Sequence, residues 1–234
     1  MAPVSLIVPT YNERDNIVAL LDEVRAAMAG WELEVWVVDD DSPDGTWLVA
    51  GDYAHAHPEV AVVRRTAARG LSAAVLEGFM RARGDILAVM DADLSHPPAL
   101  LPRLADAVAA GADVAVGSRR VAGGGADAWP WHRRRASDAA TALARWWLAV
   151  PIADPMSGYF ALPRRVFEGV RPRLRPRGYK LLLEIVCRAG PLRIVELPYI
   201  FRDRRQGVSK LSAKVAVEFL ASLWALRWAA PRRR

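Results

Sequence analysis

Ile86-Leu87-Ala88-Val89-Met90-Asp91-Ala92-Asp93-Leu94-Ser95-His96-Pro97-Pro98 is the stretch on which the fold turns. An unbroken apolar run ends abruptly in two carboxylates one residue apart. A continuous apolar run bounded by charge is the pattern of a strand buried on both faces of a sheet. Upstream, Val4–Val8 is a β-branched run ending at Pro9, and Leu33–Val38 ends in Asp39-Asp40-Asp41. Val60–Val63 and Val114–Val116 read as two more strands. Helical spacing lies between them. Arg14–Met28 places Ile17, Leu20, Leu21, Val24 and Met28 on one stripe, and Ala73–Ala82 and Ala99–Ala109 are further helices. This alternation predicts an α/β protein: a mostly parallel sheet with helices on both faces. Ligands of such sheets gather beyond the carboxyl ends of the strands. The unusual polar residues fall there, after Val8, Val38, Met90 and Gly117.

The second half departs from this rhythm. Val121–Trp131 is rich in Gly and Ala and is expected to be a mobile loop, with Gly123-Gly124-Gly125 its freest part. A long helix is predicted from about His132 to Val150. A turn at Asp154-Pro155-Met156-Ser157-Gly158, a short strand, a helix near Tyr179–Arg188 and a strand at Arg193–Leu197 follow. Leu211–Trp228 has helical spacing with a wide apolar arc, and Pro231-Arg232-Arg233-Arg234 ends the chain. With no internal repeat or low-complexity linker, the expected division is one domain over residues 1–210 and an amphipathic helix with a basic end over 211–234.

The 234 residues are 53% hydrophobic and 25% charged, which excludes a disordered chain. One cysteine, Cys187, excludes an internal disulfide and suits a reducing compartment. No apolar run reaches a membrane span, and Met1–Val8 lacks the basic flank and long apolar core of a signal peptide. Charge is unevenly placed: residues 1–118 carry a net −10 and residues 119–234 a net +16. An acidic half suits a divalent cation and a basic half suits phosphates or an anionic surface. A nucleic-acid partner is not expected, because the basic half shows no recognition motif.

Three acidic clusters mark the strand ends. Pro9-Thr10-Tyr11-Asn12-Glu13 follows the first strand, where a dinucleotide fold would need a glycine-rich loop, so a nicotinamide cofactor is not expected. Asp39-Asp40-Asp41-Ser42-Pro43-Asp44 reads either as a solvated turn capping the next helix, with Ser42 or Asp44 at the N-cap, or as acceptors for a nucleotide base and ribose. Asp91 and Asp93 leave a buried strand together, and two such carboxylates can face one hard cation. His55, His57, His96 and His132 show no metal-ligand spacing and read as incidental. Trp129 and Trp131 read as packing residues or as cover for a bound phosphate.

These clusters, in this order and spacing, resemble the inverting nucleotide-sugar glycosyltransferases of A-type fold. Further segments resemble one branch, the dolichol-phosphate (polyprenyl-phosphate) mannose synthases. These are Arg69-Gly70-Leu71-Ser72-Ala73-Ala74, Val116-Gly117-Ser118-Arg119, the Arg133 to Ser137 spacing, the Asp154–Gly158 turn, and Arg177-Gly178-Tyr179-Lys180 with Glu184. The run from Leu197 through Arg204 to Lys210 and Leu211 completes the match, which covers about residues 4 to 226. Two positions depart from the branch: Ser95 stands where Gln is frequent, and Ser72 where a second Gly is usual. Many relatives carry C-terminal membrane helices, and the expectation here is the short catalytic form.

The resemblance implies metal-dependent transfer of mannose from GDP-mannose to a polyprenyl (dolichyl) phosphate, with inversion; a different donor such as UDP-glucose is the alternative. It implies Mg²⁺ or Mn²⁺ on Asp91 and Asp93, with Ser95 as a third ligand. It implies donor nucleotide contacts from Pro9, Tyr11, Glu13, Asp39 and Asp40. Arg119, Arg133, Arg204 and Lys210, supported by Ser137, would clamp the acceptor phosphate, with Arg119, Arg133 and Arg204 also acting in catalysis. Glu184 reads as a helix-face residue orienting an arginine. The implied setting is the cytoplasmic face of a membrane, reached through the C-terminal helix or a membrane-anchoring partner subunit.

Overall fold

The computed structural model describes residues 2–67, 69–126, 131–175, 180–201, 220–221 and 223–228. Strands β1 (Val4–Thr10), β2 (Leu33–Asp39), β3 (Val60–Arg64), β4 (Ile86–Val89), β5 (Val114–Ser118), β7 (Phe160–Pro163) and β8 (Ile194–Pro198) form one sheet. Its order is β3-β2-β1-β4-β7-β5-β8. All pairings are parallel except those of β7, which runs antiparallel between β4 and β5. A second small sheet pairs β6 (Gly125–Ala126) with β9 (Ile200–Phe201).

Both faces of the sheet are covered, and β1 shows why its apolar run is continuous. Leu6 and Val8 point into one core with Ile17, Leu20 and Leu21 of α1 (Arg14–Ala27) and Leu101 and Leu104 of α4 (Leu101–Ala109). Ile7 points into the other, with Val75 and Phe79 of α3 (Leu71–Arg81) and Phe167 of α6 (Arg164–Val170). Each such fully buried side chain stabilises the fold by roughly 1.5–3 kcal/mol. Helix α3 comes very near the sheet at Gly78, where a Cβ would stand 2.6 Å from Ile7 Cγ1. The remaining helices are α2 (Thr46–Ala56), α5 (Trp131–Leu148) and α7 (Leu181–Ala189).

The outline follows the sequence reading, with four corrections. Residues expected in a mobile glycine loop include β6, held by the Gly125 N–H donating to Tyr199 O at 3.1 Å. Gly124 is required there because a Cβ would fall 2.5 Å from Ser118 O. The helix expected from Ala99 begins at Leu101, after a 3₁₀ turn over Pro98–Leu100. The N-cap of α2 is Gly45, at φ 80°, and neither Ser42 nor Asp44. Helix α6 and strand β9 have no counterpart among the expected elements, being too short to show a period. Of the predicted tail, residues 220–221 and 223–228 are helical, and the rest lies outside the described residues.

Candidate active site

The parallel strands deliver their polar residues to one edge. At the ends of β1 and β2 the carboxylates are engaged by the protein. Asp39 is fully buried; its Oδ2 accepts from Thr10 Oγ1 at 2.8 Å and Ser42 Oγ at 2.6 Å, and its Oδ1 accepts from Ser42 N at 2.8 Å. Asp40 is also buried, pairs with Arg65, and accepts from the Gly70 N–H at the start of α3 at 2.7 Å. Asp44 takes the Thr46 N–H at 2.9 Å and the Arg14 N–H at 3.2 Å, so one side chain serves the starts of two helices. The solvated-turn reading of this run is therefore wrong for Asp39 and Asp40. Like charges are tolerated side by side because each carboxylate has its own donors.

Tyr11 stands at the rim, half exposed, accepting from Arg69 Nη1 at 3.1 Å, with that guanidinium 5.0 Å from its ring centroid. Glu13 accepts from Asn16 Nδ2 at 2.8 Å, and its N–H donates to Thr46 Oγ1 at 3.0 Å. Pro9 is buried within β1, in register with Val38. Tyr11, Glu13 and Asp40 are thus brought to one end of the sheet, while Asp39 lies beneath them as a brace.

Asp91 and Asp93 occupy the turn leaving β4. Asp91 is about one-third exposed, at 32%. Asp93 is buried, with Oδ1 accepting from Ser95 N at 3.1 Å and Ser95 Oγ at 2.5 Å. Ser95 is itself fully buried and braces Asp93 through that hydrogen bond, beside the two carboxylates with which it is expected to ligate. Among the described residues no group of three or more His, Cys, Asp or Glu could cage a metal. Two carboxylates beside an open edge fit a hard cation that shares its remaining positions with a substrate's phosphates. Gly158 makes room for this turn, since a Cβ there would stand 3.1 Å from Asp91 Oδ2. His96 is not incidental: it is buried, and its Nδ1 accepts the Asp91 N–H at 3.1 Å.

Beyond β5 the balance of charge reverses. Arg119 forms a bidentate pair with fully buried Asp154, Nε to Oδ2 at 2.7 Å and Nη2 to Oδ1 at 2.9 Å, and its N–H donates to Oδ2 at 3.1 Å. Burial opposes the charge on both, but the pairing prevails, raising the Arg119 pKa and lowering that of Asp154. Glu196 supports the turn by accepting the N–H groups of Ala153 at 2.6 Å and Asp154 at 3.0 Å. Arg120 lies alongside, paired with Asp138 and donating to Ser137 Oγ at 2.8 Å. Burial and then repulsion from Arg119 lower the Lys180 pKa to about 8, against the pull of Asp154. Arg119 is thus paired with Asp154 and Arg120 with Asp138, and Lys180 lies within electrostatic reach of both Arg119 and Asp154.

The sequence reading gives roles to Arg119 and Ser137 but none to Arg120, and it quotes Lys180 only within a matched segment. The doubled Arg119-Arg120 is its only signal for Arg120, and nothing local marks the position of Lys180. Glu184 orients an arginine, its Oε1 accepting from Arg188 Nε at 2.8 Å and from the Arg175 N–H at 2.8 Å. Arg133 lies on α5, its side chain outside the described set, and Arg204, Lys210 and Trp129 are outside the described residues. Trp131 is exposed, with the Arg135 guanidinium 5.7 Å from its ring centroid.

Residues 5–171 match Glycosyl transferase family 2. The chain belongs to that family. As a family 2 glycosyltransferase it is 45% identical over 230 residues to the dolichol-phosphate mannosyltransferase of Pyrococcus furiosus, covering 96% of this chain but 64% of that protein. It is 41% identical over 238 residues to the polyprenol monophosphomannose synthase of Mycolicibacterium smegmatis, covering 98% of this chain and 89% of that one. The glycosyltransferase also shares its fold with the glucosyl-3-phosphoglycerate synthase of Mycobacterium tuberculosis, solved with Mn²⁺, UDP-glucose and phosphoglyceric acid. That likeness has a TM-score of 0.74 at 17% identity, over 99% of this chain and 81% of the other.

Proposed function

We propose that this chain transfers mannose from GDP-mannose to a polyprenyl phosphate, inverting the anomeric carbon. The observation that carries the reading is the clustering of Arg119, Arg120 and Lys180 near the turn of Asp91 and Asp93. Asp91 lies within electrostatic reach of Arg119, whose pKa it helps to raise. Cations held close despite mutual repulsion favour an anion between them, and guanidinium forks match phosphate oxygens. The names of the Pyrococcus and Mycolicibacterium relatives supply the sugar and the lipid.

In this reading Asp40, Tyr11 and Glu13 receive the nucleoside, with Pro9 and Asp39 shaping the floor beneath it. Asp91 and Asp93 hold a divalent cation, Mg²⁺ or Mn²⁺, which neutralises charge on the departing diphosphate. Arg119, Arg133, Arg204 and Lys210 orient the acceptor, with Ser137 and Arg120 at the same side. The nucleophile is a phosphate oxygen. Its second pKa is about 6, so it is largely dianionic at neutral pH and calls for no strong general base.

The acceptor lipid stays in a bilayer, so the domain works at the surface of one. None of the described helices is long and apolar enough to cross a membrane. The C-terminal helix buries Leu223 and Leu226 against the domain while exposing Leu220, Trp224 and Trp228. Exposed tryptophans beside a basic terminus suit an anionic headgroup layer, and in this reading the protein sits peripherally at the cytoplasmic face.

A transfer assay tests this, using GDP-mannose, UDP-glucose and other sugar nucleotides with a short polyprenyl phosphate, with and without Mn²⁺. GDP-mannose should be the preferred donor, and Asp93→Ala should reduce transfer by about 10³-fold or more while the protein stays folded. Preferred use of UDP-glucose would replace the donor assignment. Full turnover of Asp93→Ala in chelator would overturn the metal role.

A further inference from the structure

We propose that His96 is a positioning residue for the cation site, holding the Asp91 carboxylate through the backbone of its own turn. This rests on the reading of Asp91 as a cation ligand.

The turn is wound tightly. Leu94 sits at φ 60°, a left-handed conformation that a branched apolar side chain rarely adopts. Such a turn persists only when its surroundings over-determine it. One clamp is Ser95 on Asp93 at 2.5 Å. The other is the His96 ring, whose Nδ1 accepts the Asp91 N–H at 3.1 Å. With Nδ1 accepting, the neutral ring carries its proton on Nε2. That nitrogen faces Asp91 Oδ2 at 3.9 Å, beyond a hydrogen bond but within electrostatic range. One ring therefore engages both the backbone and the carboxylate of Asp91.

The ring is fixed on its other sides. It stacks on Tyr159 at 5.1 Å between centroids and meets the edges of Tyr199 at 5.6 Å and Phe201 at 6.0 Å. Tyr159 is tied in turn to the residue after His96, its hydroxyl donating to Pro97 O at 3.0 Å. Packing alone could be supplied by phenylalanine in this aromatic box. What phenylalanine lacks is an acceptor for the Asp91 N–H. The imidazole thus links Asp91 to a rigid wall, as partners beyond the ligands do at metal sites, where their loss typically weakens metal binding 10–100-fold.

The test measures Mn²⁺ binding by electron paramagnetic resonance of the free ion, in the presence of GDP, on full-length protein. His96→Phe should weaken Mn²⁺ binding by about tenfold or more and raise the donor KM more than it lowers kcat. His96→Asn returns an acceptor near the Nδ1 position and should bind Mn²⁺ within about threefold of the parent. Asp91→Ala serves as the control. If His96→Phe binds Mn²⁺ like the parent while Asp91→Ala does not, the inference about His96 is overturned and the reading of Asp91 survives. If Asp91→Ala also binds normally, both are overturned. Should His96→Phe fail to fold, His96→Gln replaces it, because its longer side chain moves the acceptor away from the Asp91 N–H. Tighter Mn²⁺ binding by His96→Asn than by His96→Gln supports the inference, and equal binding overturns it.

Discussion

The two sides of the site handle charge in opposite ways. At the ends of β1 and β2, Asp39, Asp40 and Asp44 are matched to protein donors: Thr10, Ser42, Thr46, the Gly70 N–H and Arg65. Beyond β5, Arg119, Arg120 and Lys180 cluster near the buried Asp154; burial and then repulsion from Arg119 lower the pKa of Arg120 and Lys180, while the pair with Asp154 raises that of Arg119. The first side is preorganised and electrically settled. In the proposed reading the second receives an anion. Buried charge costs heavily unless paired, so a cluster of like charges is a candidate ligand site.

The largest effect should come from removing the shared carboxylate. Asp154→Ala leaves the Arg119 guanidinium buried without its bidentate partner, a change that typically destabilises by about 3–5 kcal/mol. Denaturant unfolding measures it; a loss under about 1 kcal/mol would mean that Arg119 finds solvent or another partner. On the opposite side, Asp39→Ala removes the acceptor for three hydrogen bonds. A loss of about 2–4 kcal/mol is expected, given roughly 1–3 kcal/mol per bond to a charged group with partial relaxation. Stability should suffer here in proportion to activity, because Asp39 acts as a brace. A folded, fully stable Asp39→Ala without activity would instead place its carboxylate against the donor.

Lys180 sharpens the contrast through pH. Its pKa is lowered to about 8, first by burial and then by Arg119. Affinity for a phosphate ligand that needs its charge should therefore weaken as pH rises through about 8, by up to about tenfold between pH 7 and 9. Lys180→Arg should flatten that dependence, because guanidinium keeps its proton. Stability moves the other way. The folded-state value lies below that of the unfolded chain, so unfolding takes up protons between about pH 8 and 10.5 and this group's contribution to stability rises with pH across that window. A phosphate affinity unchanged from pH 7 to 9 would remove Lys180 from the anion site. The smallest effect concerns the surface. Replacing Trp224 and Trp228 with serine should lower binding to anionic vesicles several-fold, and added salt should lower it further through screening. Unchanged vesicle binding by this double variant would assign the membrane contact elsewhere.

Much of the side at the ends of β1, β2 and β4 is legible in the amino-acid sequence, because a strand and the turn that follows it are neighbours along the chain. Continuous apolar runs ending in Asp39 and Asp91 announce both the sheet and its functional edge. Less can be read after residue 118. Strand β7 arrives from a distant turn and inserts antiparallel between β4 and β5, which no local period records. The glycine loop reads as mobile because its partner, Ile200–Phe201, lies more than seventy residues away. His96 reads as incidental when metal spacing is the criterion, whereas its role runs through a backbone N–H.

The sequence by itself determined the alternating layers, the acidic turns and the division of charge between the halves. These follow from side-chain periodicity and composition, which are properties of neighbours along the chain. The tertiary structure alone decided which charges are paired with which. It set Asp154 against Arg119, Ser95 against Asp93 and His96 against Asp91, and it placed Lys180 within electrostatic reach of Arg119. Burial and pairing govern the energy of a charge, and both depend on which distant segments fold against it.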